Sequence, residues 1–438
     1  MKNRIEIIKS VTLIVLVAIS GILSWNILGS KSGDQEAVPS TEAEEIHIQA
    51  KMELSTLLLP SQIVLHQDNS HYLTVDDEYL ERIVTDFTQL PFSSYVDVTN
   101  YYATENISEA FTDMNAIELE FQTAIPFSVY KNLLTNSVND YPAAEFNRIV
   151  IPFKGKSLYF LSLDKNRVMR ATVDKQQLQL FINQYKELDQ LSPATRLTVG
   201  QNHQFIYVPK EEVTLPIRLF YLQTLNISDF KKLLFPNLEN VQQEITVAGE
   251  ESTDGTSMLT VFQETKVFSF VKPQSVQKQT LSQATKFQNT VDFMNSHAGW
   301  DSSWDGTQDD GDGDRYRFAG QQSGEDRTVF RLQIDGRPVF NADGMSEIVL
   351  AVGAEGVHFY TRPYFFLDFE FSGEYPTKAL ISGEQVLEKL LIRENFDVEN
   401  LEAMKIGYTM TQNKKSNQVI LEPNWYIRYH NHWEEVDF

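Results

Sequence analysis

The chain has 438 residues and no cysteine, and its 37 Lys plus Arg against 60 Asp plus Glu leave a net charge of −23. That balance repels phosphate backbones and anionic surfaces, which argues against a nucleic-acid partner. Without cysteine there are no disulfides, thiolate nucleophiles or thiolate metal sites, so stability has to come from packed cores, for which 42% apolar and 12% aromatic residues suffice.

Residues 1–10 form a short head carrying Lys2, Arg4 and Lys9, and residues 11–28 (VTLIVLVAISGILSWNIL) hold no charge. Those eighteen residues reach about 27 Å as a helix, enough for the hydrocarbon core of a bilayer. Basic residues before the span and Asp34, Glu36, Glu42, Glu44 and Glu45 after it put the N-terminus in the cytoplasm and the body outside, at the cell membrane. The small residues Ala18 and Ser20 also allow a cleaved signal peptide, but the apolar run continues past them through Leu28, which favours a retained single-pass anchor. Ser20, Gly21 and Ser24 place small residues one turn apart, with Asn26 near the outer boundary. This is a candidate face for pairing with another membrane helix, although small residues are ordinary in any span.

Residues 29–50, rich in Gly, Ser, Glu and Pro, read as a flexible tether. Three α+β domains with antiparallel sheets and packed helices are expected beyond it, at 51–195, 196–275 and 276–438. In the first, strands at 62–66 and 95–99 flank a helix at 76–89 whose N-cap is Asp76 and whose apolar face is Tyr79, Leu80, Ile83, Val84 and Phe87. An alternating strand at 117–122 precedes a helix opened by Pro126. Strands at 147–153, 158–163 and 168–173 and a helix at 174–185 follow, and Ser192, Pro193 and Gly200 mark a break.

The second domain predicts strands at 217–222, 241–248, 257–264 and 267–271, a helix at 228–234 and a tight turn at Asp254-Gly255. The third predicts helices at 281–295 and 383–392. Its strands are at 327–334, 348–352, 357–361, 364–371, 403–411 and 418–429, with turns at Asp335-Gly336, Asp343-Gly344 and Glu355-Gly356.

Motifs for chemistry are sparse. The tract Asp305, Asp309, Asp310, Asp312 and Asp314 invites a calcium reading, but counting from Asp310 the sixth residue is Arg315 and the twelfth Gln321, where an EF-hand needs Gly and Glu; a solvated hairpin loop fits better. His430, His432 and Glu434 would share a strand face and could hold a transition metal, or pack as surface residues among Trp425, Tyr426, Tyr429 and Trp433. Gly155-Lys156-Ser157 lacks the earlier glycine of a phosphate loop and reads as a hairpin turn. There is no G-x-S-x-G elbow and no H-E-x-x-H, and His66 and His71 have no paired carboxylate motif beside them, so no catalytic, cofactor or metal residue is assigned and no enzyme is expected.

Several strings, in order, resemble the YycH (WalH) family of Gram-positive regulatory proteins. These are Ser24-Trp25-Asn26-Ile27, then Leu234-Phe235-Pro236-Asn237 with Asp254-Gly255, then FMNSHAGW at 293–300 and Phe330-Arg331. Gly336-Arg337-Pro338-Val339-Phe340, Tyr360-Thr361-Arg362-Pro363 and Leu421-Glu422-Pro423-Asn424-Trp425 continue the likeness to the C-terminus. The resemblance implies a non-enzymatic accessory protein of the WalK (YycG) sensor histidine kinase, which controls cell-wall metabolism. It also implies action through membrane-helix and external-domain contacts together with the sister protein YycI. The sign of the effect on the kinase differs among organisms. The alternative is an anchored cell-envelope enzyme, such as a wall-polymer hydrolase, or a ligand-sensing binding protein. Protease added to intact protoplasts is expected to digest the body; a body left protected would overturn this topology.

Overall fold

The computed structural model describes residues 52–438, apart from 103–106, 112–113, 135–140, 189–190, 248, 274–280, 298–299, 301–314, 323–325, 354–355, 372, 374–375, 414–415 and 438. The candidate helix-pairing residues Ser20, Gly21, Ser24 and Asn26 and the acidic tract at 305–314 therefore lie outside the described residues. Among the described residues no helix is long and apolar enough to cross a membrane.

The architecture is mixed α+β with antiparallel sheets. The first sheet comprises β1 (Gln62–Gln67), β2 (Ser70–Thr74), β3 (Phe92–Asp97), β4 (Ala116–Pro126) and β5 (Glu145–Pro152). It continues with β6 (Ser157–Ser162), β7 (Arg167–Val173), β8 (Ser192–Val199) and β9 (Gln204–Pro209). Among the described residues these nine strands run in the order β3-β7-β6-β5-β4-β1-β2-β8-β9, with every pair antiparallel. Gly155, with φ 114, makes the β5–β6 turn, as its sequence predicts.

Two helices cover one face. Helix α1 (Asp77–Thr88) starts where the Asp76 side chain accepts from Tyr79 N, and it buries Leu80, Ile83, Val84 and Phe87 at helical spacing. Helix α2 (Lys175–Tyr185) is capped by Asp174, which accepts from Gln176 N and Gln177 N, and it buries Leu178, Phe181, Ile182 and Tyr185. Both pack on the odd-numbered positions of the central strands, Ile63 and Leu65, Ile117 and Leu119, Ile149 and Ile151. The helix opened by Pro126 is one turn, Phe127–Tyr130, continued by a 3-10 turn.

Segment 192–199, which Pro193 and Gly200 mark as a break in the sequence, is strand β8. Pro193 is the second residue of β8, opposite Tyr72 of β2, and Gly200 (φ 73) makes the turn that follows.

The remaining strands are β10 (Val213–Pro216), β11 (Arg218–Thr224), β12 (Gln242–Ile245), β13 (Glu250–Thr253), β14 (Met258–Phe262) and β15 (Val267–Val271). Next come β16 (Arg315–Gln322), β17 (Arg327–Ile334), β18 (Arg337–Phe340), β19 (Glu347–Gly353) and β20 (Gly356–Pro363). The last are β21 (Phe365–Glu370), β22 (Thr377–Leu380), β23 (Leu401–Asn413), β24 (Gln418–Tyr429) and β25 (His432–Glu435). All but β10 and β22, which pair with each other, join one sheet of fourteen among the described residues. Its main order is β12-β13-β14-β15-β20-β19-β17-β18-β23-β24-β11-β21, with β16 on β17 and β25 on β24. Strands from 242–271 and, β22 apart, from 315–435 thus lie in a single sheet. Helices α3 (Ile227–Leu234), α4 (Gln283–His297) and α5 (Gly383–Leu391) pack around it, α5 opened by a capping box between Ser382 and Gln385.

The two large sheets meet through close contacts. Arg317 of β16 ion-pairs with Asp77 at the start of α1 and reaches Pro60 O at 3.5 Å. In the β17–β18 turn, Asp335 (φ 51) and Gly336 (φ 69) both take the left-handed conformation. A Cβ at Gly336 would stand 1.8 Å from Val75 O. Replacing Gly336 by Ala therefore strains both a backbone angle and an inter-sheet contact, and should lower unfolding stability by about 2 kcal/mol or more. Chemical denaturation followed by tryptophan fluorescence checks this; an unchanged midpoint would mean the turn can move away from Val75.

Candidate functional site: a buried polar seam

The face of the first sheet opposite α1 and α2 carries a different chemistry. Alternate positions of the central strands place Gln62, Val64 and His66 of β1, Glu118 and Glu120 of β4 and Arg148 of β5 on that side. The register makes Gln62, Glu120 and Arg148 direct neighbours across three strands, and sets His66 opposite His71 of β2. Glu118 is 5% exposed, Arg148 8% and His66 2%. The alternating Ile-Glu-Leu-Glu-Phe of β4 reads as a strand with one wet face, yet both of its faces are dry.

The cover is β9. The sheet curls until this edge strand lies over the centre, where Arg148 Nη2 donates to Phe205 O at 2.7 Å and Gln62 Nε2 donates to Tyr207 O at 3.1 Å. The edge carbonyls that a terminal strand leaves open are thereby satisfied by side chains of the same sheet. Phe205 and Tyr207 fill the curl with Val64, Leu73 and Ala194. The other face of the β8–β9 hairpin, at Leu197, Val199, Ile206 and Val208, packs on Leu401, Met404, Ile406 and Trp425 of β23 and β24. The hairpin is shared by both sheets.

The charges in the seam are matched. Arg148 Nη1 donates to Glu118 Oε1 and lies 2.9 Å from Glu120 Oε1, an ion pair without hydrogen-bond alignment. Gln62 Nε2 donates to Glu120 Oε2 at 2.7 Å, and His66 Nε2 lies 2.9 Å from Glu118 Oε2. From β23, Lys405 Nζ donates to Ser61 Oγ, which donates in turn to Glu120 O at 3.0 Å. Burial alone would push the Glu118 carboxyl up, but the Arg148 guanidinium and the bonds from His66 and Arg148 hold it down to about 2. Glu120 is moved the other way: burial raises it, the Arg148 charge only partly opposes this, and the neighbouring Glu118 charge adds to the rise. Burial holds the Lys405 ammonium down to about 8, against the pull of Glu120.

Such a cluster can store a proton and pin an edge strand. The space beside it, bounded by Ser108, Phe111, Glu118, Arg148, Phe205 and Tyr207, is about 10 Å³, the room of one water. A substrate does not fit there.

The C-terminal histidines do not share a strand face. His430 (φ 50) and Asn431 (φ 63) are the left-handed turn between β24 and β25, His430 stacks edge-on against Tyr429 at 4.4 Å, and His432 begins the next strand. Two residues apart means one strand face only while the chain stays extended, and here it reverses. Among the described residues no group of three or more His, Asp or Glu could hold a metal. The sequence named His66 and His71 but gave no sign of Glu118, Glu120, Arg148 or Lys405. The available signal was Arg148 itself, a lone charge inside the apolar run Phe146 to Phe153.

Replacing Arg148 by Met strips the charge partner from two buried carboxylates and should cost about 3–5 kcal/mol at neutral pH. In the unaltered protein the depressed Glu118 contributes stability that is full above its ordinary value of 4.5 and is lost as pH falls from there toward about 2. In the variant the unpaired carboxyls take up protons more readily when folded, so the stability gap should narrow below about pH 4.5. Denaturation midpoints across that range decide it; a gap independent of pH would mean Arg148 matters only for packing.

The comparisons with known proteins agree with this architecture. A family model described as "YycH protein, N-terminal domain" matches residues 6–190, and one described as "YycH protein, C-terminal domain" matches residues 202–438. The chain is similar to the two-component system WalR/WalK regulatory protein YycH of Bacillus subtilis, 22% identical and covering 97% of this chain and 94% of that protein. The crystal structure of YycH from Bacillus subtilis superposes with a TM-score of 0.71 at 19% identity, over 89% of this chain and 98% of the other, so the fold is shared. With matched domains running from residue 6 to the C-terminus, the chain belongs to the YycH protein family.

Proposed function

We propose that this protein is a membrane-anchored, extracytoplasmic regulator of a WalR/WalK-type two-component system, acting by protein contact and not by turnover. The observation that carries this reading is the match to both family domains, together with a relative named as a regulatory protein of WalR/WalK. Support comes from the chain itself. The charge-free run at 11–28 suits an anchor, and the seam around Glu118, Glu120 and Arg148 has room for a water only.

In this proposal the kinase WalK and a YycI-type sister protein are the partners, and the span takes part through Ser20, Gly21, Ser24 and Asn26. Lipid already satisfies apolar side chains, so helix contacts in the bilayer depend on close packing at small residues. Replacing Gly21 and Ser24 together by Leu keeps the span insertable but holds a partner backbone away. Co-purification of the kinase or the sister protein from membranes should fall, and WalR-dependent transcription should shift, while Leu16 and Leu23 replaced by Ile leave both near wild type. If both variants behave as wild type at equal membrane abundance, the coupling does not run through this face. Loss of the gene without any change in WalR-dependent transcription would overturn the regulatory reading itself.

A further inference from the structure

His66 and His71 face each other across the β1–β2 hairpin with their Nδ1 atoms 2.9 Å apart and their rings at 81°. Two nitrogens that close require one donor and one acceptor. Glu118 is ionised, so His66 Nε2 carries a hydrogen toward it; in the neutral pair His66 Nδ1 is then the acceptor and His71 Nδ1 the donor. One further proton can enter without loss: His66 becomes doubly protonated, donates to both Glu118 and His71, and the central hydrogen bond is only reversed. A second added proton leaves two N–H groups pointing at each other, and the contact cannot survive.

The groups around the pair set how the second proton is answered. Glu118 of β4 meets His66 from the far side, and Arg148 of β5 already occupies the other oxygen of that carboxylate. Tyr207 of β9 packs its ring on both imidazoles, at 4.8 Å from His66 and 5.0 Å from His71. Asp68 at the hairpin turn is engaged with Asn115, while Glu120 and Lys405 lie further along the same face. His66 is buried and cannot swing out, whereas His71 of β2 is half-buried. A second proton therefore expels His71, removing one of the two rings under Tyr207, next to the point where Gln62 holds the Tyr207 carbonyl.

We propose that the His66–His71 pair is a proton-binding site that latches strand β9 over the seam, and that the latch loosens when both imidazoles are protonated. The hairpin it releases is the one whose far face packs on β23 and β24, so acidity would reach the second sheet through β8–β9. The unfolded chain can take a proton on each imidazole without breaking a contact, whereas the paired rings can take only one, so acid favours release of the latch.

Hydrogen exchange of the full-length chain in detergent micelles reads the latch directly. Labelling times are scaled for the pH dependence of intrinsic exchange, and peptides of β9 are compared with those of β17. Between about pH 7.5 and about pH 5.5, β9 exchange should rise roughly threefold to tenfold while β17 stays level, as expected for uptake of one proton. His71→Asn keeps a polar partner for His66 and cannot be charged; its β9 exchange should be flat over the same range. A flat wild type, or a variant that rises as steeply as wild type, overturns the proposal. Should His71→Asn fail to fold, imidazole carbon NMR of the unaltered protein decides: two rings that titrate together, the second uptake coinciding with β9 opening, support the latch, and independent titration sinks it. Protection of β9 by zinc(II) at neutral pH would assign the pair to a metal instead and equally overturn it.

Discussion

The arrangement depends on one guanidinium. Among the described residues Arg148 alone binds Glu118, Glu120 and the open edge of β9 together. Two carboxylates in a dry space repel each other, and an edge carbonyl facing apolar surface has no water to turn to. A lysine would supply charge but not the planar fork that lets Nη1 and Nη2 face different partners. Because Arg148 satisfies all three, β9 can fold over the sheet, and because β9 folds over, its outer face is available to Ile406, Trp425 and the rest of the second core.

The body is therefore organised around a shared hairpin as much as around either sheet. β8 and β9 belong by hydrogen bonding to the first sheet and by side-chain packing to the second, where Gly383 at the start of α5 lies against Val208 with no space for a Cβ. Arg317 with Asp77, Gly336 with Val75 and Gly200 N with Val398 O add contacts across the same boundary. A body cross-braced in this way has few places where it can yield. The seam is one of them, because what closes it is polar and titratable.

Much of the fold was legible in the sequence where the signal is local. Asp76 and Asp174 announce α1 and α2, and apolar alternation bounded by turn residues gives β17 and β24 their full ranges. The seam was not legible, for a physical reason. Period-two alternation says that a strand has two faces, not that one of them is wet, and Glu118 and Glu120 among apolar neighbours look like an exposed row until β9 is laid over them. That cover comes from residues far along the chain. β8 was hidden for a related reason: Pro193 and Gly200 punctuate its two ends, and a strand of eight residues between them looks like an interruption. His430 was misjudged because the reversal at His430-Asn431 carries no glycine to mark it.

The sequence distances spanned by the seam bear on how the molecule assembles. Arg148 and Phe205 are 57 residues apart, Gln62 and Tyr207 145, and Lys405 and Ser61 344, whereas the β1–β2, β5–β6 and β8–β9 hairpins close over short turns. Hairpins form early because little chain entropy is lost in closing them, while contacts between distant segments come later. Until β9 arrives, Glu118, Glu120 and Arg148 stand on an open face and remain hydrated, so their dehydration is deferred to the last steps of folding. Interactions formed after the transition state act on the rate of unfolding and leave the rate of folding nearly unchanged. The seam is then less a guide for the chain on its way to the native state than a clasp that sets how long it stays there.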